Sequence, residues 1–156
     1  MLRFALAIIG VLCLHYSQAQ KFTVGEIIKL RTVSYEQFDS FVSRRGYNFI
    51  EIRKTEYSTS HAFAFDADGH MASRHIAYIV NKYGEVMITY QTSIVSEYNS
   101  IKAGIKQAGF VHSETGEFNN CPFFDYKKGD RTFSITTCQS EDRYGNPKTY
   151  YEISLN

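Results

Sequence analysis

The chain has 156 residues, enough for one domain with a real core, and sets 17 basic against 16 acidic side chains for a formal charge of +1. No basic stripe stands out, which argues against nucleic acid as a partner. Aromatic side chains make up 15% of the residues, all Phe and Tyr without a Trp, a composition that suits a β-rich core.

Residues 1–19 have the layout of an export signal. Arg3 supplies the positive end, Phe4 to Leu14 a short apolar run, and Ser17-Gln18-Ala19 a small-x-small cleavage site. The run is too short for an ordinary transmembrane helix, and no later segment replaces it. Leu12 before Cys13 departs from the small residue that a lipoprotein signal needs there. The expectation is an exported protein, periplasmic or extracellular, with one domain over 20–156 and no membrane span once the signal is removed.

Thr23-Val24-Gly25-Glu26 and Ser34-Tyr35-Glu36-Gln37 are capping boxes. The first opens a short helix through Ile27, Ile28 and Leu30. The second opens one with Tyr35, Phe38, Phe41 and Val42 at helical spacing, ended by Gly46. Strands are predicted at His61 to Phe65, Arg74 to Val80 and Val86 to Gln91, with turns at Asp66-Ala67-Asp68-Gly69 and Asn81-Lys82-Tyr83-Gly84. Val86, Ile88 and Tyr90 face one way, and Met87, Thr89 and Gln91 the other. A helix opening near Thr92 or Ser96 then runs through Tyr98, Ile101 and Ile105 to Gly109. Further strands are predicted at Asn120 to Tyr126, Arg131 to Cys138 and Lys148 to Leu155.

The second half echoes the first. Tyr35, Phe38, Val42, Gly46 and Tyr47 have counterparts in Tyr98, Ile101, Ile105, Gly109 and Phe110, and Asn81-Lys82-Tyr83-Gly84 is answered by Asp142-Arg143-Tyr144-Gly145. A period of about sixty residues exceeds a solenoid unit and indicates one pseudo-symmetric domain. The expected class is α+β: two tandem helix-plus-three-strand repeats, about 22–91 and 92–156, forming one antiparallel sheet of six strands with the helices packed on one face.

Two cysteines remain after the signal, Cys121 and Cys138. If Gly129-Asp130 is a two-residue hairpin loop, the register places Cys121 opposite Cys138, Phe124 opposite Ile135 and Tyr126 opposite Phe133. A disulfide across that hairpin is therefore expected. Pro122 lacks a ladder donor, which restricts it to an edge strand or to a strand's first residues.

The tandem helix-then-strands plan, the signal and the hairpin disulfide together resemble the secreted β-lactamase-inhibitor-protein-like architecture. The helix motif of Tyr35, Phe38, Asp39, Phe41 and Val42, with the late Cys121-Pro122 and Cys138, also resembles exported bacterial proteins of unknown function. Both resemblances imply a fold and carry no catalytic residue onto this chain.

Candidate chemistry is sparse. Asp66-x-Asp68-Gly69 is a fragment of a calcium loop without its later ligands, and an ordinary turn accounts for it. His61, His70 and His75 cluster in sequence but not at metal-ligand spacing. There is no Gly-x-Ser-x-Gly elbow and no Gly-rich phosphate loop, and no cofactor or metal is expected. What remains is the sheet face opposite the helices, expected to carry Met87, Thr89, Gln91, Phe123, Thr136, Tyr150 and Glu152. The candidate binding residues are Phe123, Tyr150 and Met87, with Tyr83 and Tyr144 in two similar turns at one end of the sheet. The leading expectation is a non-enzymatic binding or interaction module for another protein, inhibitors included. The alternatives are a carrier of a small apolar ligand, held between helices and sheet, and an envelope hydrolase around His61, His75 and the Asp66/Asp68 turn.

Overall fold

The computed structural model describes residues 21–65, 72–141 and 144–156. The predicted export signal with Cys13, the predicted turn at Asp66 to Gly69, His70, Asp142 and Arg143 lie outside the described residues.

Among the described residues, two short helices come first, α1 (Val24–Leu30) and α2 (Tyr35–Ser43). Each opens with the predicted capping box. The Thr23 hydroxyl accepts from the Glu26 amide while the Glu26 carboxylate accepts from Thr23 N at 2.9 Å, and Ser34 and Gln37 make the same exchange. Helices this short depend on packing, and Ile27, Leu30, Phe38 and Val42 are buried. Strands β1 (Tyr47–Lys54), β2 (Ser58–Phe65), β3 (Arg74–Asn81) and β4 (Val86–Thr92) follow. Helix α3 (Val95–Gln107) then leads into β5 (Val111–Phe118), β6 (Cys121–Lys128), β7 (Arg131–Glu141) and β8 (Pro147–Leu155). A Cβ on Gly104 would lie 2.9 Å from Val24 Cγ2, so this glycine lets α3 approach α1 closely.

The strands form one antiparallel, eight-stranded sheet in the order β1-β2-β3-β4-β8-β7-β6-β5. The α+β class with a single sheet is therefore as predicted, but each half supplies four strands rather than three. The additional strands, β1 and β5, are the two edges. Only Tyr47 is buried along β1 and no residue is buried along β5, so neither carries the period-two alternation of a half-buried strand. Each edge also contains a register shift, between Phe49 and Glu51 and between His112 and Glu114. Bulges there twist an edge away from strangers.

The hairpin register is the predicted one. Lys128 pairs with Arg131 around the Gly129-Asp130 loop, Phe124 with Ile135, and Tyr126 with Phe133. Cys121 and Cys138 form a disulfide with their Cα atoms 4.8 Å apart. Pro122 is the second residue of β6, and the β6–β7 ladder begins after it at Phe123. Since β6 is interior, the strand's start is the position this proline uses.

The core lies between the helices and one sheet face. Phe38 packs edge-on against Phe63, Phe22 against Tyr90, and Phe110 against Phe133. Within it, Glu97 at the start of α3 is only 7% exposed. Its carboxylate accepts from Arg74 Nε at 3.0 Å and Nη2 at 2.5 Å, from the Tyr90 hydroxyl at 2.8 Å and from Thr92 Oγ1 at 3.1 Å. The Tyr90 hydroxyl in turn hydrogen-bonds with that of Tyr47, and burial pushes both phenols far above their ordinary value.

Burial alone would raise the Glu97 carboxyl. The Arg74 hydrogen bonds, the Tyr90 hydroxyl and the Arg74 charge outweigh it and hold the group below its ordinary value. A carboxyl depressed in the folded state contributes stability that is complete above its unfolded pKa and lost as pH falls through the folded one. Glu97→Ala, which strands Arg74 in the core, is expected to lower stability by about 3 kcal/mol near neutral pH and to flatten the acid loss seen in the parent. Urea unfolding at neutral and acidic pH measures both. Removing the disulfide as the Cys121→Ala/Cys138→Ala pair is expected to lower the unfolding free energy by about 3 kcal/mol in the same assay.

Candidate functional site

Alternation along the strands puts a second set of side chains on the face away from the helices, and the ladders align them in rows. One row runs Ala64, His75, Gln91, Glu152, Thr136 and Phe123 from β2 to β6. The next runs Ala62, Ala77, Thr89, Ser154, Ser134 and Asp125. Small side chains therefore dominate the centre. They leave a depression of about 330 Å³ over β2, β3, β4 and β8, with Glu152, Gln91 and His75 toward one end and Met87 and Ile79 toward the other.

The aromatic residues flank this centre. A Cβ on Gly116 would lie 2.6 Å from two atoms of the Phe123 ring, so the ring lies across the glycine and is held half-buried on the open face. Tyr150 stands opposite Cys138, and Phe118, 69% exposed, stands opposite Cys121. Phe118, Phe123 and Tyr150 thus surround the disulfide, and exposed Tyr144 follows in the β7–β8 loop at that end. Tyr83 does not join them. Because β4 and β8 are antiparallel, the β3–β4 turn and the β7–β8 loop lie at opposite ends of the sheet. Tyr83, 77% exposed, instead shares its end with Tyr57, and the Lys82 ammonium sits 5.2 Å and 5.1 Å from their ring centres. Phe118 and Tyr57 escape sequence reasoning because they belong to the edge strand β5 and to the turn after the edge strand β1. The Asn119-Asn120 pair was the available signal. Both residues have positive φ, as a two-residue hairpin loop requires, and together they mark Phe118 as a strand end.

The two histidines of the hydrolase grouping do not come together. His61 pairs with core-facing Tyr78 and its ring meets that of Tyr35 at a tilt, centroids 4.1 Å apart, on the helix side, whereas His75 belongs to the open face. The two histidines lie on opposite faces of the sheet, and Asp66 and Asp68 lie outside the described residues. Among the described residues, no three His, Cys, Asp or Glu side chains come together to hold a metal. Many of the Phe and Tyr rings pack between helices and sheet. A groove of about 240 Å³ between α1 and α2, lined by Leu30, Val33 and Phe41, falls below the usual size of a ligand pocket.

Glu152 differs from Asp125 and Glu51 on the same face, and from Glu114, which is exposed. Asp125 accepts from Ser134 at 2.5 Å, and Glu51 pairs with Arg53 at 2.8 Å. Glu152 has no such partner among the described residues. Gln91 and Thr136 flank it on the adjoining strands, Tyr150 and Ser154 on its own strand, and His75 stands beyond Gln91. Burial therefore pushes its carboxyl above the ordinary value with nothing to offset the rise.

No known protein family, curated protein or solved structure matches this chain.

A carboxyl raised in the folded state opposes folding once it is ionised, so its effect on stability grows as pH rises through the folded pKa and vanishes below the unfolded one. Glu152→Gln is accordingly expected to raise the thermal midpoint at pH about 7.5 and to leave it unchanged near pH 3. Calorimetric melts of the variant and its parent at the two pH values check this.

Proposed function

We propose that this chain is an exported, non-enzymatic binding module whose open sheet face and adjoining loops engage another protein. In plan it resembles the β-lactamase-inhibitor-protein-like architecture, and inhibition of the partner is one outcome such binding would have. The observation that carries the reading is the aromatic end of the open face, where Phe118, Phe123 and Tyr150 stand around the Cys121–Cys138 disulfide. Aromatic anchors held rigidly lose little side-chain entropy when a partner covers them, so a few of them can supply most of an interface's free energy. The disulfide ties β6 to β7 beneath them, and Gly116 seats the Phe123 ring.

Affinity capture with the chain from residue 20 onward, disulfide formed, from the envelope and medium of the native host tests this reading. A single partner recovered near stoichiometry is expected with the parent chain. Phe123→Ala/Tyr150→Ala is expected to weaken its binding by at least 100-fold, about 2.7 kcal/mol, while the fold is retained. Unchanged affinity in the double variant would overturn the assignment to this face.

A further inference from the structure

The central carboxylate of the open face is the feature that the aromatic end leaves unexplained. Glu152 projects from β8, a strand in the middle of the sheet, into the depression of about 330 Å³. Its ladder neighbours, Gln91 and Thr136, offer an amide and a hydroxyl but no positive charge. The nearest same-face residues on its own strand, Tyr150 and Ser154, are uncharged as well. Beside it the floor of the depression continues over Thr89, Ala77 and Ala62, with His75, Ile79 and Met87 toward its ends, so a planar group can lie against the small side chains at its centre. An unpaired carboxylate held partly out of water is stabilised most by a cation that forms two hydrogen bonds to it and is itself only weakly hydrated.

From this arrangement we infer that the depression at Glu152 is the seat of an arginine side chain of the partner protein, its guanidinium bound in a fork by the Glu152 carboxylate. The remaining guanidinium N–H groups donate to the Gln91 side-chain carbonyl and to the hydroxyls of Ser154 or Thr136, all within the same two rows of the face. Tyr150, one same-face position along β8, offers an aromatic wall to the cation. A lysine ammonium fits less well, since it is strongly hydrated and cannot use the fork. The open face then has two parts with different tasks. The aromatic end supplies apolar anchoring, and the depression sets which residue the partner must present. The upward displacement of the Glu152 carboxyl accords with a site completed by a ligand's charge.

This inference rests on the proposed binding face, and its test separates the two. N-acetyl-arginine amide titrated into the isotopically labelled chain near neutral pH is expected to shift the backbone signals of Gln91, Thr136, Glu152 and Ser154 in a saturable way, with a dissociation constant of about 10 mM or tighter. N-acetyl-citrulline amide, the neutral isostere, is expected to leave them in place. Glu152→Gln is expected to weaken the arginine derivative at least tenfold, and Asp125→Asn, on a carboxylate already satisfied by Ser134, to leave binding unchanged. Failure to saturate by about 100 mM, equal shifts with the citrulline derivative, or unchanged binding in Glu152→Gln would each overturn the inference. If partner capture then still depended on Phe123 and Tyr150, only the arginine seat would fall. Saturable binding with capture indifferent to those two aromatics would instead leave the seat and remove the aromatic face.

Discussion

The contact on which the rest of this structure depends is the buried acceptance of Arg74, Tyr90 and Thr92 by Glu97. Its donors come from β3 and β4 and its acceptor from the first turn of α3, so the last two strands of one half are fixed to the helix that opens the other. The N-cap of α3, Ile94, has no side-chain capping bond, and the position of that helix relies on Glu97 instead. Each oxygen of the carboxylate has a donor, which is the condition under which a buried charge is tolerated. With α3 placed, Ile101 and Ile105 meet the sheet, and β4 is set where β8 can pair with it.

The open face can exist because that core is complete on the other side. Rings from Phe38, Phe63, Tyr78, Tyr90 and Phe133 fill the helix side, and the remaining alternate positions need not contribute to stability. They can therefore hold small, polar and ill-suited side chains. Glu152 is the clearest case, a carboxylate partly withdrawn from water at the centre of a sheet. The disulfide and the aromatic core compensate for such a destabilising choice.

How much was legible from sequence follows the physics of burial. The capping boxes at Thr23 and Ser34 are local hydrogen-bond patterns and were readable in full. The β6–β7 register followed from one turn and two cysteines, because a two-residue loop fixes every pair behind it. The alternation of Met87, Thr89 and Gln91 against Val86, Ile88 and Tyr90 correctly separated the two faces of β4. The edge strands were opaque because their residues meet solvent on both sides and a bulge breaks their phase. Glu97 carries no local signal of its burial, since its partner Arg74 lies 23 positions away. The placement of Tyr83 and Tyr144 failed for a topological reason, since strand order decides which turns share an end.

The strand order also has a consequence for how the molecule comes into being. β8, the last of the eight strands along the chain, sits in the middle of the sheet between β4 and β7. Until it arrives, the first half ends in β4 with one side unpaired, and the β5-β6-β7 meander has a similar exposed flank at β7. Pairs such as Ile88 with Leu155 close very long loops, so the sheet joins only after the rest of the chain is available. The two flanks that lie unpaired in the interim both carry core residues, Ile88 and Tyr90 on β4 and Phe133 and Ile135 on β7. They, rather than the bulged and well-solvated outer edges, are where an unfinished chain is most exposed to mispairing with another copy.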